Sequence, residues 1–154
     1  MSTLSTDRLG TIFADALTEV ISTTTGFELE ITPSEDKSGF GGMLGLMSLN
    51  GKNHGLVFIS AEEAVLRVIC SFMTGIPKEE VSRADIEDAL GELVNMTAGS
   101  AKLRFNDTEQ LYTLSPPFII QGGNMSMTTK KRVDVISRVL GNGEISVKLK
   151  VVFF

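Results

Sequence analysis

The sequence predicts an α+β domain: a largely antiparallel sheet of about six strands with helices packed on one face, in two pseudo-symmetric halves. Three observations carry that expectation. Apolar residues recur at helical spacing in three segments. Short alternating or β-branched runs fill most of the remainder, joined mainly by turns too short for a parallel crossover. The third observation is a repeat, since residues 88–99 read DALGELVNMTAG and residues 15–26 read DALTEVISTTTG. Asp, Ala, Leu, Glu, Thr and Gly recur at the same offsets, and prolines follow both copies at Pro33 and at Pro116 and Pro117. Self-similarity at a long period points to related halves, roughly 1–75 and 76–154, of one domain over 1–154.

Taken in order, Thr6 or Asp7 can cap a first helix whose Leu9, Ile12, Phe13, Ala16, Leu17 and Val20 share a face, with Gly26 as its stop. Residues 27–31 alternate apolar with acidic and read as a half-exposed strand. Residues 34–42 are polar and glycine-rich, a loop. Runs at 43–49 and 55–60 flank Asn50-Gly51-Lys52-Asn53, a hairpin with an Asn-Gly turn. A second helix follows over 61–74, with Glu62 and Glu63 near its positive end and Gly75 after it. Ile76-Pro77 breaks the pattern, and Ser82 or Asp85 restarts it as a third helix to about Phe105. After a loop at 106–110, strands are expected near 111–114, 118–121, 132–140 and 144–153, the last two joined by an Asn142-Gly143 turn. The final run ends in Val151-Val152-Phe153-Phe154. A strand that apolar is a poor free edge.

Composition narrows the function. At 154 residues and 42% apolar the chain can bury a substantial core. Its net charge of −5 argues against nucleic acid or an anionic membrane surface as partner. No apolar run approaches the ~20 residues of a membrane span, and no export signal is visible, so a cytoplasmic location is expected. The single cysteine, Cys70, lies in an apolar helical stretch and reads as packing. His54 is the only histidine, on a hairpin without partners at metal spacing, so neither a histidine base nor a protein-bound metal is expected. The glycines at 39, 41, 42 and 45 match no nucleotide-binding pattern.

The third helix is the informative one. At about 100° per residue, Ile86, Ala89, Leu90, Leu93, Thr97 and Ala101 cluster on one face, while Asp88, Glu92, Asn95 and Gly99 form a stripe nearly opposite. Glu92 and Asn95 are three apart and so are surface neighbours. Gly91 and Gly99 lie on or beside the stripe. An interior helical glycine costs about 1 kcal/mol against alanine, and close approach by a second molecule would account for two of them. A merely solvated helix face is the plain alternative.

The pattern Asp88, Glu92, Asn95, followed by a proline about twenty residues on, resembles the motif of the CheC/CheX/FliY chemotaxis phosphatases. In that family an Asp or Ser, three residues, Glu, two residues and Asn precede a proline some 22 residues later. Pro116 and Pro117 come one or two residues early. Length and element order are similar to the single-domain CheX type. The resemblance implies hydrolysis of the aspartyl phosphate on a CheY-like receiver, with magnesium on the receiver and no cofactor on this chain. It also implies a homodimer, joined through sheet edges. Asn95 would orient the attacking water and Glu92 would dock a receiver lysine, with Asp88, Gly91 and Gly99 as partner-binding positions. In the first copy, Asp15, Glu19 and Ser22 then read as a degenerate second site, because a serine hydroxyl has too short a stem to replace the carboxamide. The competing reading is a non-catalytic adaptor of the same fold. Such a module need not keep Glu92 and Asn95 together, and their joint presence favours the enzyme.

Overall fold

Helical periodicity becomes three α-helices in the computed structural model, which describes residues 5–34, 39–51, 54–105, 112–130 and 133–154. The loop expected at 106–110 lies outside them, as do Lys52-Asn53 of the expected turn and residues 35–38 of the expected loop. So do Lys131 and Arg132, where the strand expected at 132–140 begins.

Helix α1 (Thr6–Thr25) is capped by Ser5, whose hydroxyl accepts the Arg8 N–H at 3.2 Å, one residue before the expected cap. It ends at Gly26, whose φ of 81° is the left-handed geometry that favours glycine. Helix α2 (Glu63–Thr74) ends the same way at Gly75, with φ 76°. It starts two residues later than expected because Ala61 still pairs with Met43 in the sheet. Helix α3 (Arg83–Arg104) opens on a full capping box: Asp85 N–H donates to the Ser82 hydroxyl and Ser82 N–H to the Asp85 carboxylate. Both candidate starting residues therefore serve, in reciprocal roles.

The strands are β1 (Glu30–Pro33), β2 (Gly39–Phe40), β3 (Met43–Gly51), β4 (His54–Ala61), β5 (Tyr112–Leu114), β6 (Phe118–Gln121), β7 (Met125–Ser126), β8 (Asp134–Gly141) and β9 (Ser146–Phe153). Seven of them form one sheet in the order β1-β8-β9-β4-β3-β5, with β6 also on β3, and every ladder is antiparallel. Strands β2 and β7 make a separate two-stranded ribbon, β2 inside the segment expected to be loop and β7 where no strand was expected. The order reads alike from both edges if β1 is matched with β5 and β6, β8 with β3, and β9 with β4. Helices α1 and α3 each precede one of the outer strands.

Two expectations shift. Residues 27–29 keep their alternation, with Leu29 buried and the Phe27 ring 4.9 Å from that of Phe72. Their backbone joins no ladder, because β8 ends at Gly141, opposite Glu30. The apolar C-terminal run is no edge either: β9 lies between β8 and β4, with Val151 and Val152 buried. Its hydrophobicity is answered within the chain and gives no argument for a dimer.

The main core lies between the helices and one face of the sheet, where Phe13, Leu17, Ile21, Leu49, Ile59, Ile86 and Leu93 are buried. Two glycines set how closely the helices sit. A Cβ on Gly10 of α1 would stand 2.7 Å from Ile136 Cγ2 of β8, and one on Gly45 of β3 would stand 2.7 Å from Val94 Cγ2 of α3. Val94 is fully buried and stiff at its branched Cβ. We therefore expect Gly45→Ala to lift α3 from the sheet and cost about 1–3 kcal/mol of stability in chemical denaturation. An unchanged midpoint and slope would show that the seat is not tight.

Candidate functional site

The stripe predicted on α3 faces solvent. Asp88, Glu92 and Asn95 are exposed, while Leu90, Leu93, Val94, Thr97 and Ala98 beneath them are buried. Thr97 spends its hydroxyl on the Leu93 carbonyl at 2.7 Å, so this polar residue on the inner face is satisfied within the helix. Asp88, Glu92 and Asn95 have no side-chain hydrogen bond or ion pair among the described residues.

These side chains form one wall of an open depression of about 420 Å³, together with Glu87 and Gly91. The opposite wall is Ser115, Pro116, Pro117 and Ile119, from the step between β5 and β6. That step follows from proline chemistry. Strands β5 and β6 both pair with β3, at Leu49–Gly51 and at Met43–Leu46, and the two prolines, lacking N–H groups, interrupt the ladder between them. Ser115 repairs the gap: its hydroxyl accepts the Ser48 N–H at 2.8 Å and its own N–H donates to the Ser48 carbonyl at 3.1 Å. The displaced chain carries Pro117 over Gly91, where an added Cβ would meet the ring at 3.5 Å. Gly91 is buried under the chain's own proline. Gly99 is half-buried with open space around it and does not line the depression.

Of the second wall the sequence marks Pro116 and Pro117, as the proline of the motif, and neither Ser115 nor Ile119. Its one local signal is that proline pair, which splits a strand pattern. Ser115 is no candidate nucleophile, since its hydroxyl also donates to the Pro116 carbonyl at 2.9 Å.

Several contacts hold the helix in place. Tyr112 donates its hydroxyl to the Ala98 carbonyl at 3.2 Å, and burial pushes its pKa up. Hydrogen bonds from the Ser82 N–H and hydroxyl hold the Asp85 carboxyl below its usual range. The charged cap is therefore favoured above the ordinary carboxylate range and is lost as pH falls through that lowered pKa. Cys70 is buried, and desolvation raises its thiol pKa, which keeps it unreactive. His54 is exposed. Among the described residues no group of three or more His, Cys, Asp or Glu is placed to hold a metal ion.

The first copy is placed differently. Asp15 and Glu19 are exposed and Ser22 is half-buried. The Glu19 carboxylate is paired with Arg104 from the last turn of α3, and Ser22 donates to Glu28 Oε1 at 2.5 Å. None of the three lines the depression on α3.

Comparison with known proteins agrees with this geometry at the level of fold and family. Residues 43–139 match the family model described as chemotaxis phosphatase CheX. The fold is similar to CheX from Vibrio vulnificus, with a TM-score of 0.81, 20% identity, and 95% of this chain and 99% of that one covered. A CheC-like superfamily protein from Shewanella sp. PV-4 has a TM-score of 0.80 at 24% identity, over 95% and 97% of the two chains. A third similar structure is the CheX–CheY–BeF3–Mg complex from Borrelia burgdorferi, with a TM-score of 0.74, 15% identity, and 93% and 96% covered. No curated protein matches by sequence.

Proposed function

The chain belongs to the CheX family of chemotaxis phosphatases, and we propose that it hydrolyses the aspartyl phosphate of a CheY-like response-regulator receiver at the α3 depression. The observation that carries this reading is the exposed carboxylate of Glu92 and carboxamide of Asn95, without a side-chain partner among the described residues, on the wall of one open depression. The Borrelia burgdorferi relative in complex with CheY supports the choice of partner.

An acyl phosphate is already activated, and the receiver brings its own magnesium. What this chain adds is position. The Asn95 carboxamide oxygen accepts a hydrogen bond from a water placed in line with the phosphorus, and its NH2 donates; unlike a carboxylate, it does not titrate. The water oxygen forms the new P–O bond as the bond to the aspartate carboxyl oxygen breaks. The products are the receiver's free carboxylate and inorganic phosphate, which retains the water's protons subject to its own ionisation. Glu92, less than one turn away, forms a charge-assisted hydrogen bond with a receiver lysine and so orients the docked pair. Asp88 adds negative charge to the docking face. Asp15, Glu19 and Ser22 act as a retired copy whose polar groups now serve the fold. The protein works in the cytoplasm, where receivers reside; in the described residues no helix is long and apolar enough to cross a membrane.

Two substitutions test the assignment. Asn95→Ala should lower receiver dephosphorylation by at least about 100-fold while changing stability by less than about 0.5 kcal/mol. A folded variant with undiminished turnover would remove Asn95 from the chemistry. Glu92→Lys should weaken complex formation first, by setting a cation against the receiver lysine; unaltered binding in a titration would discard that role.

A homodimer is also proposed, through the β6 edge of the sheet, where Phe118 is 55% and Ile120 42% exposed. Light scattering at micromolar concentration should give a dimer mass, and a monomer mass would contradict it.

A further inference from the structure

The two walls of the depression are tied together beyond Ile119 by side chains that are not needed for the core. Gln121 is the last residue of β6, and its amide is engaged at both ends. The Arg83 guanidinium donates to its oxygen, and its Nε2 donates to Glu87 Oε1 at 2.5 Å. Arg83 and Glu87, one turn apart on α3, are themselves an ion pair at 4.0 Å. The three groups form a closed bracket between the first turns of α3 and the end of β6.

This bracket is badly placed to stabilise the fold. Gln121 is exposed, and the Arg83 and Glu87 side chains are 56% and 39% exposed, a setting in which an ion pair contributes little. It is well placed to fix one coordinate. Among the described residues of the chain, strand β6 pairs with β3 alone and follows the proline step, so beyond that ladder its distance from α3 is set by the Pro117–Gly91 contact, by Ile119 packed against the core, and by the bracket. The bracket also sorts the carboxylates that line the depression. Glu87 is engaged by Gln121 and Arg83, which leaves Asp88 and Glu92 for an incoming cationic group.

We propose that Gln121, held by Arg83 and Glu87, is a positioning residue that keeps the Ser115–Ile119 wall at the spacing a docking receiver requires. The inference rests on the reading of this depression as the receiver site. A receiver segment that enters it meets both walls, and a wall set beforehand spares an ordering cost at docking. Asn95 sits on α3 and does not depend on Gln121. Loss of the bracket therefore acts on KM and leaves kcat alone.

The test measures steady-state dephosphorylation of a phosphorylated CheY-like receiver by the full chain, together with amide hydrogen exchange of residues 118–121 in the absence of receiver. Gln121→Ala should raise KM about tenfold with kcat within about twofold, and should speed exchange in β6. Arg83→Ala, which opens the bracket from its other side, should do the same. Gln121→Glu combined with Glu87→Gln should restore both readouts. The carboxylate at position 121 then accepts from Arg83 and from the amide at position 87, so the bonds are kept with the charges exchanged. Unchanged KM and unchanged exchange in Gln121→Ala would overturn the proposal, as would a loss confined to kcat or a failure of the exchanged pair to rescue. If the parent chain dephosphorylates no receiver, the proposed function fails, and the exchange measurement alone decides whether the bracket positions the wall.

Discussion

How closely α3 lies on β3 decides the geometry of the candidate site. At Gly45 the sheet offers no side chain, so Val94 and Leu90 descend to where a Cβ would stand, 2.7 and 3.0 Å away. With Leu90, Leu93, Val94, Ala98 and Ala101 locked beneath it, the helix can neither roll nor slide without breaking close-packed contacts. Its polar stripe is left one direction, outward. The same seat brings Gly91 under Pro117 and Ala98 within reach of the Tyr112 hydroxyl, which pins the facing wall. A rigid apolar underside thus gives an exposed carboxamide a fixed position, which a water-orienting residue needs.

The two similar helices differ in how the chain uses their polar stripes. The strand order is the same from either edge, and both α1 and α3 lead into outer strands. We read this as a duplication with halves near 1–75 and 76–154. In α1 the polar groups of Glu19 and Ser22 are engaged by the chain itself. Glu19 pairs with Arg104 and Ser22 with Glu28, so those contacts join α1 to α3 and to the segment after α1. In α3 the corresponding Glu92 and Asn95 have no such partners among the described residues.

Features with a local cause were legible in the sequence. The three helices follow from apolar periodicity and end at Gly26, Gly75 and Phe105, close to where capping chemistry puts their limits. The α3 stripe follows from the same periodicity. Features that depend on which strands become neighbours were not legible. Alternation at 27–31 reports burial correctly but cannot reveal that β8 stops opposite Glu30. An apolar C-terminal strand looks the same at an edge or in the centre, and only the strand order puts β9 in the centre. Of the candidate site, the α3 wall was visible, and of the Ser115–Ile119 wall only Pro116 and Pro117 were marked, with nothing to show that they face α3. The Arg83–Gln121 contact joins residues 38 apart through a fold that local pattern does not encode.

The central claim is that this chain hydrolyses a receiver's acyl phosphate, and the direct measurement is phosphate release from a panel of phosphorylated CheY-like receivers. Each receiver would be followed alone and with substoichiometric amounts of the protein. The account predicts that at least one receiver loses its phosphate at a rate proportional to the protein added, with many turnovers per molecule. Decay of every receiver at its own intrinsic rate, whatever the protein concentration, would contradict it.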